Sequence, residues 1–123
     1  MKYIFDACAL IAIFKKENGF EKINSLLEEA IKEQSEIYMN SINLIEVHYG
    51  FLRTLGEEKA NIVLEKIHEL PINFINTVDE VIFYEASRLK AQYAIPLGDC
   101  IGLATAIRLG GTFVTSDIFS KKH

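Results

Sequence analysis

Short apolar stretches, each bounded by polar or turn-forming residues and separated by helical patterns, constrain this chain more than any other feature. Residues 3–5 are apolar and stop at Asp6, and residues 37–39 run into Asn40 and Ser41. Those two offer a cap for a helix through Ile42, Ile45, Tyr49 and Leu52. Residues 72–75 follow Pro71, and residues 112–115 follow the pair Gly110 and Gly111. Between these stretches the apolar spacing becomes helical. Phe20, Ile23, Leu26, Leu27, Ala30 and Ile31 share one face with charges opposite, and Ala60, Val63, Leu64 and Ile67 form another stripe. Helices are also expected over residues 7–16, 81–93 and 100–109, with Thr77 and Glu80 as a capping box and Asp99 opening the last of them. Strands separated by helices predict a three-layer α/β/α sandwich around a short, mostly parallel sheet.

The length of 123 residues suits a single domain with a buried core, expected over 1–123. A net charge of -4 excludes binding to nucleic acid through a general excess of Lys and Arg. Two cysteines, Cys8 and Cys100, make no disulfide framework and no zinc-like spacing. The longest apolar run, residues 7–14, is too short for a spanning helix and lacks the pattern of a secretory leader. A soluble cytoplasmic protein without a membrane partner is therefore expected.

The acids are unevenly divided: 13 are Glu and only 4 are Asp, at positions 6, 79, 99 and 117. In a parallel sheet all strand C-termini share one edge, and ligands bind outside it. Asp6 follows the first strand and Asp117 the last, while Asp99 opens a helix that starts at that edge and returns to feed a strand. Glu46 lies a little over one turn into its helix, and helical side chains lean toward the N-terminus. It therefore points back to the same edge. Each Asp also has a plain structural reading, as a cap or a turn residue. Glu46 resists one, because it stands among Leu44, Ile45 and Val47, where an unpartnered carboxylate is costly. Asp79 reads as a first-turn acid of the capping box. Four converging carboxylates repel one another unless protons or cations neutralise them. An all-oxygen cluster suits Mg²⁺, with Mn²⁺ as a substitute, and such sites recur in phosphoryl transfer.

In these residues the chain resembles the PIN-domain nucleases, especially the VapC-like ribonuclease toxins. The resemblance rests on Ile4-Phe5-Asp6 with Leu10-Ile11-Ala12, on Asn43-Leu44-Ile45-Glu46-Val47, on residues 97–106 around Asp99, and on Thr112-Phe113-Val114-Thr115-Ser116-Asp117. It implies a magnesium-dependent endoribonuclease acting on RNA, paired with a cognate antitoxin protein and assembled as a homodimer. By the same resemblance Asp6, Glu46 and Asp99 are the three acids of the metal site, and Asp117 is a fourth. Thr115, or Ser116 beside it, matches a hydroxyl that orients the site, and Ala104 and Ala106 match close helix packing. Family members usually continue past the fourth acid into another strand, whereas six residues follow Asp117 here. A naturally short member and a truncated piece both fit that departure.

The remaining candidates have structural explanations. His48, His68 and His123 show no metal-ligand spacing. Cys8 and Cys100 read as small hydrophobes beside the candidate acids. Lys121 and Lys122 read as a solvated tail, and Arg53, Arg88 and Lys90 are candidate RNA contacts. A non-cleaving PIN-like module that binds RNA or protein is the alternative function. A phosphoacceptor receiver domain is excluded, because no Asp lies between Asp6 and Asp79.

Overall fold

The computed structural model describes residues 1–115. Its elements in chain order are β1 (Lys2–Phe5), α1 (Ala7–Lys15), α2 (Phe20–Ile31), β2 (Glu36–Asn40), α3 (Ser41–Leu55), α4 (Glu57–His68), β3 (Asn73–Ile75), α5 (Glu80–Gln92), α6 (Leu97–Leu109) and β4 (Thr112–Val114). The sheet has the order β3-β2-β1-β4, and every pairing is parallel. Tyr3 pairs with Ile37 on one side and with Thr112 on the other. The chain first builds outward from β1 to β2 and β3, and then returns through α5 and α6 to place β4 on the opposite flank of β1. Such a reversal opens a crevice at the carboxyl ends of the strands.

Alternation along the strands assigns the two faces. Phe5 and Ile37 pack with Ala9, Ala12, Ile23 and Leu27 of α1 and α2. Met39 on the same face joins Leu10, Val47, Phe51, Ala60 and Ile67, and so brings in α3 and α4. The opposite face carries Ile4 and Asn40 and is covered by α6, against which α5 packs through Ile82, Ala86 and Leu89. The result is the three-layer α/β/α arrangement, and its sheet is wholly parallel among the described residues.

Two helix starts differ from the sequence expectation. The cap of α5 is Asp79, whose carboxylate accepts from the Ile82 N–H at 2.9 Å, and Thr77 lies outside the helix. The capping function thus falls on the acid nearest the helix, and Arg108 at the end of α6 also pairs with it at 2.8 Å. Together these hydrogen bonds hold the Asp79 carboxyl below its ordinary range, the Ile82 N–H contributing most. The second difference concerns α6, which begins at Leu97 behind Pro96, three residues earlier than expected. Pro96 is its cap, with an extended backbone. Asp99 therefore stands inside the first turn of α6 and is not its cap.

Candidate active site

Asp6 emerges where β1 ends. It is the N-cap of α1, accepts from the Ala9 N–H at 2.8 Å, and is only 3% exposed. Its own N–H donates to Val114 O at 3.2 Å, which extends the β1–β4 pairing to the site. One residue past β4, Thr115 is 2% exposed and hydrogen-bonds to Asp6 through its side chain. The Asp6 carboxyl is pushed up to about 6. Burial is the main cause, opposed by the hydrogen bonds from Thr115 and Ala9 and reinforced by repulsion from Asp99 and Glu46. Repulsion from both acids shows that the three carboxylates, drawn from three separate parts of the chain, share one electrostatic neighbourhood.

Glu46 is half-buried on α3 and faces the start of α6. Its Oε1 accepts from Asn43 Nδ2 at 3.1 Å, and the same Nδ2 donates to Gly98 O at 3.0 Å. A Cβ placed on Gly98 would lie 2.7 Å from Glu46 Cδ and closer still to both carboxylate oxygens. The carboxylate thus occupies the space that a side chain at position 98 would fill. Asp99 follows immediately, half-buried in the first turn of α6. Behind this pair, Asn40 caps α3 by accepting from the Ile42 N–H at 3.0 Å and donates to Thr105 Oγ1 on α6 at 3.2 Å. Thr105 in turn donates to Ile101 O at 2.7 Å.

The structure therefore brings Asp6, Glu46, Asp99 and Thr115 to the same edge, while Ser116 and Asp117 lie outside the described residues. Among the described residues no three Asp, Glu, His or Cys side chains are drawn together tightly enough to form a closed metal-ligand set. An open set of carboxylates still fits a hard divalent cation, because Mg²⁺ retains several waters and is held by one or two carboxylates. The all-oxygen donors, their mutual repulsion and the buried Asp6 match that chemistry. Cys100 is buried beside Asp99, and burial raises its thiol pKa, as expected of a packing residue. Cys8 is exposed in the first turn of α1, which corrects its reading as a buried hydrophobe. A surface cavity of about 510 Å³ lies elsewhere, lined by Glu33, Ser35, Glu36 and Asn73 among others, and includes none of these acids.

The sequence offered Asn40 as the cap of α3, and it is that cap. Its bond to Thr105, and any role for Asn43, Gly98 and Thr105 beyond their place in the family-like stretches, were missed. A signal existed for Asn43, which precedes Glu46 by three residues on one helical face. None existed for Gly98 or Thr105, whose partners on α3 and β2 are distant in sequence.

A doubly wound parallel sheet with acids gathered at its carboxyl edge defines a class of α/β proteins that bind ligands outside that edge. Within that class, the PIN domain family model matches residues 3–118, and the chain belongs to the PIN domain family. Comparison with curated proteins gives no match. Among solved structures, VapBC2 from Rickettsia felis, bound to a DNA fragment from its promoter, is similar at 21% identity with a TM-score of 0.79; the match covers 99% of this chain and 92% of that one. A toxin-antitoxin complex from Klebsiella pneumoniae is similar at 25% identity and TM-score 0.64, covering 92% and 84% of the two chains. VapC20 from Mycobacterium tuberculosis, described as a toxin cleaving the sarcin-ricin loop, is similar at 11% identity and TM-score 0.69, covering 98% and 94%. These likenesses agree with the fold described above.

Proposed function

We propose that this PIN domain is a magnesium-dependent endoribonuclease and the toxin of a toxin–antitoxin pair. The observation that carries the reading is the meeting of Asp6, Glu46 and Asp99 at one sheet edge, with the Asp6 carboxyl raised by burial and by the other two. Family membership and the likeness to toxin–antitoxin complexes support the biological role. RNA as substrate is the reading that the family resemblance implies, and the fold is shared with a toxin described as cleaving the sarcin-ricin loop.

Asp6, Glu46 and Asp99 would hold Mg²⁺ or Mn²⁺, with Asp117 assigned as a fourth ligand by its place after β4. When bound, the cation supplies charge neutralisation at the scissile phosphate and a more acidic water. The protein's own contribution is to keep the acids ionised and aimed. The Ala9 N–H and the Thr115 side chain hold Asp6 and favour its charged form against burial. Asp99 is presented on the rigid first turn of α6, and Glu46 is seated over Gly98. Attack by water in line with the leaving oxygen forms a new O–P bond and breaks the P–O3′ bond. The leaving oxygen takes a proton, so the products carry a 5′-phosphate and a 3′-hydroxyl.

An antitoxin Arg or Lys placed in the same acidic edge would compete with the cation, which makes the edge a natural point of inhibition. The homodimer belongs to this proposal, supported by the exposed apolar side chains of Phe83, Tyr84 and Leu97 on α5 and α6. No helix among the described residues is long and apolar enough to cross a membrane.

The test is cleavage of single-stranded RNA by purified protein with Mg²⁺ or Mn²⁺, alongside the variant Asp99→Asn. Cleavage is expected to require the metal and to disappear in the variant, with its circular dichroism unchanged. An Asn variant that cuts equally well would show the site to be misassigned. Absence of Mg²⁺ and Mn²⁺ binding by calorimetry at millimolar concentration would favour the non-cleaving module.

A further inference from the structure

Asn43 is 1% exposed and makes a choice that an interior side chain rarely makes. Both of its hydrogen bonds among the described residues leave from Nδ2, to Glu46 Oε1 and Gly98 O, while its Oδ1 is buried with no hydrogen-bond partner. Buried polar atoms are nearly always satisfied, and the exceptions call for an explanation. An apolar residue would fill this space without leaving an acceptor stranded. The arrangement is intelligible if the donated bonds are what the position is for. One bond goes to the Glu46 carboxylate on α3 itself. The other goes across to the carbonyl that immediately precedes Asp99 on α6 and fixes the amide, so that the carboxylate is held by a group that cannot swing away.

The chemistry of the amide matters as much as its position. A Lys or Arg would also hold Glu46 but would cancel the negative charge that a cation needs. The neutral amide orients the carboxylate and leaves its charge intact. Gly98 completes the device by omission, since a Cβ there would overlap the carboxylate.

We infer that Asn43 is a positioning residue which, with Gly98, latches Glu46 to the first turn of α6 and thereby sets Glu46 against Asp99 for cation binding. The inference rests on the metal-dependent reading proposed above, and the test separates the two. In metal-free protein, NMR should show slow solvent exchange of the Asn43 side-chain amide relative to that of exposed Asn18, and a shift of its signals in Glu46→Gln. Calorimetry with Mn²⁺ should show about tenfold weaker binding in Asn43→Ala and in Gly98→Ala, the range found when groups that orient metal ligands are removed. Adding Asn43→Ala to Glu46→Gln should weaken binding no further, because the latch then has nothing to hold. At saturating Mn²⁺ the RNA cleavage rate of Asn43→Ala should return toward that of the wild type, an outcome that general destabilisation would not give.

Wild-type Mn²⁺ affinity in a folded Asn43→Ala protein would overturn the inference while the nuclease reading stood. So would an Asn43 amide that exchanges as fast as that of Asn18. If Asn43→Ala does not fold, Gly98→Ala decides, since it keeps the amide and changes only the room for the carboxylate. A wild-type protein that binds no Mn²⁺ and cuts no RNA would overturn the nuclease reading, and the cation role of the latch with it.

Discussion

Asp6 serves two masters, the start of α1 and the acidic edge, and its protonation reports the conflict. Its carboxyl titrates near 6 in the fold against 3.8 ordinarily. Below about pH 4 both folded and unfolded chains hold the proton and no penalty arises. Between about 4 and 6 the folded chain keeps a proton that the unfolded chain has released, so raising the pH lowers stability. Above 6 the full penalty stands, on the order of 3 kcal/mol at 1.36 kcal/mol per pKa unit. Asp6→Asn removes the charge and retains an oxygen to cap α1. Urea unfolding of the metal-free proteins should therefore find the variant more stable than wild type at pH 7.5 and the two converging by pH 4. Parallel curves across that range would mean that Asp6 does not carry the burial penalty. The place of Asp6 at the carboxyl end of β1 was legible in the sequence from its position after an apolar run. Its burial and its bond to Thr115 were not, because they depend on β4 closing beside β1 over more than a hundred intervening residues.

At the scale of elements, the alternation of apolar runs and helical stripes carried most of the fold. It located the four strands of the described residues, and their parallel pairing followed from the intervening helices. The errors fell at helix starts, where short-range signals compete. Asp79 and Thr77 both offered capping oxygens, and the residue adjacent to the helix prevailed. Pro96 stands as the cap of α6 with an extended backbone, so the helix opens at Leu97 and takes Asp99 into its first turn. Close contacts between elements left a weaker trace. Gly111 precedes β4, and a Cβ there would lie 2.8 Å from Lys2 O on β1, a backbone atom that cannot step aside. Gly111→Ala should therefore destabilise the protein by about 1–3 kcal/mol, the usual cost of overpacking. Gly50, inside α3, has nothing within 4 Å of the equivalent position. Gly50→Ala should stabilise by about 0.5–1 kcal/mol through helix propensity alone. Denaturant midpoints moving in the same direction for both variants would contradict this account of the β1–β4 contact.

For the whole molecule, the four assigned acids account for the net charge of -4, since the other 13 acids match 13 Lys and Arg. An acidic protein of this kind meets a polyanion on even terms only when cations occupy its edge. Fluorescence anisotropy with a short RNA should show binding weakened about tenfold or more when EDTA replaces a divalent cation. Equal affinity in both conditions would place the RNA on another face. The strand order has a further consequence, in the timing of synthesis. Asp6 is made among the first residues, yet the strand that walls it in, β4, pairs with β1 only after residue 114 has been made. Chains emerge N-terminal end first at roughly 5–20 residues per second. For the nuclease proposed above, the ribosome thus meets a nascent chain whose acidic edge is unfinished, and the fold itself postpones the activity of that edge until translation has passed β4.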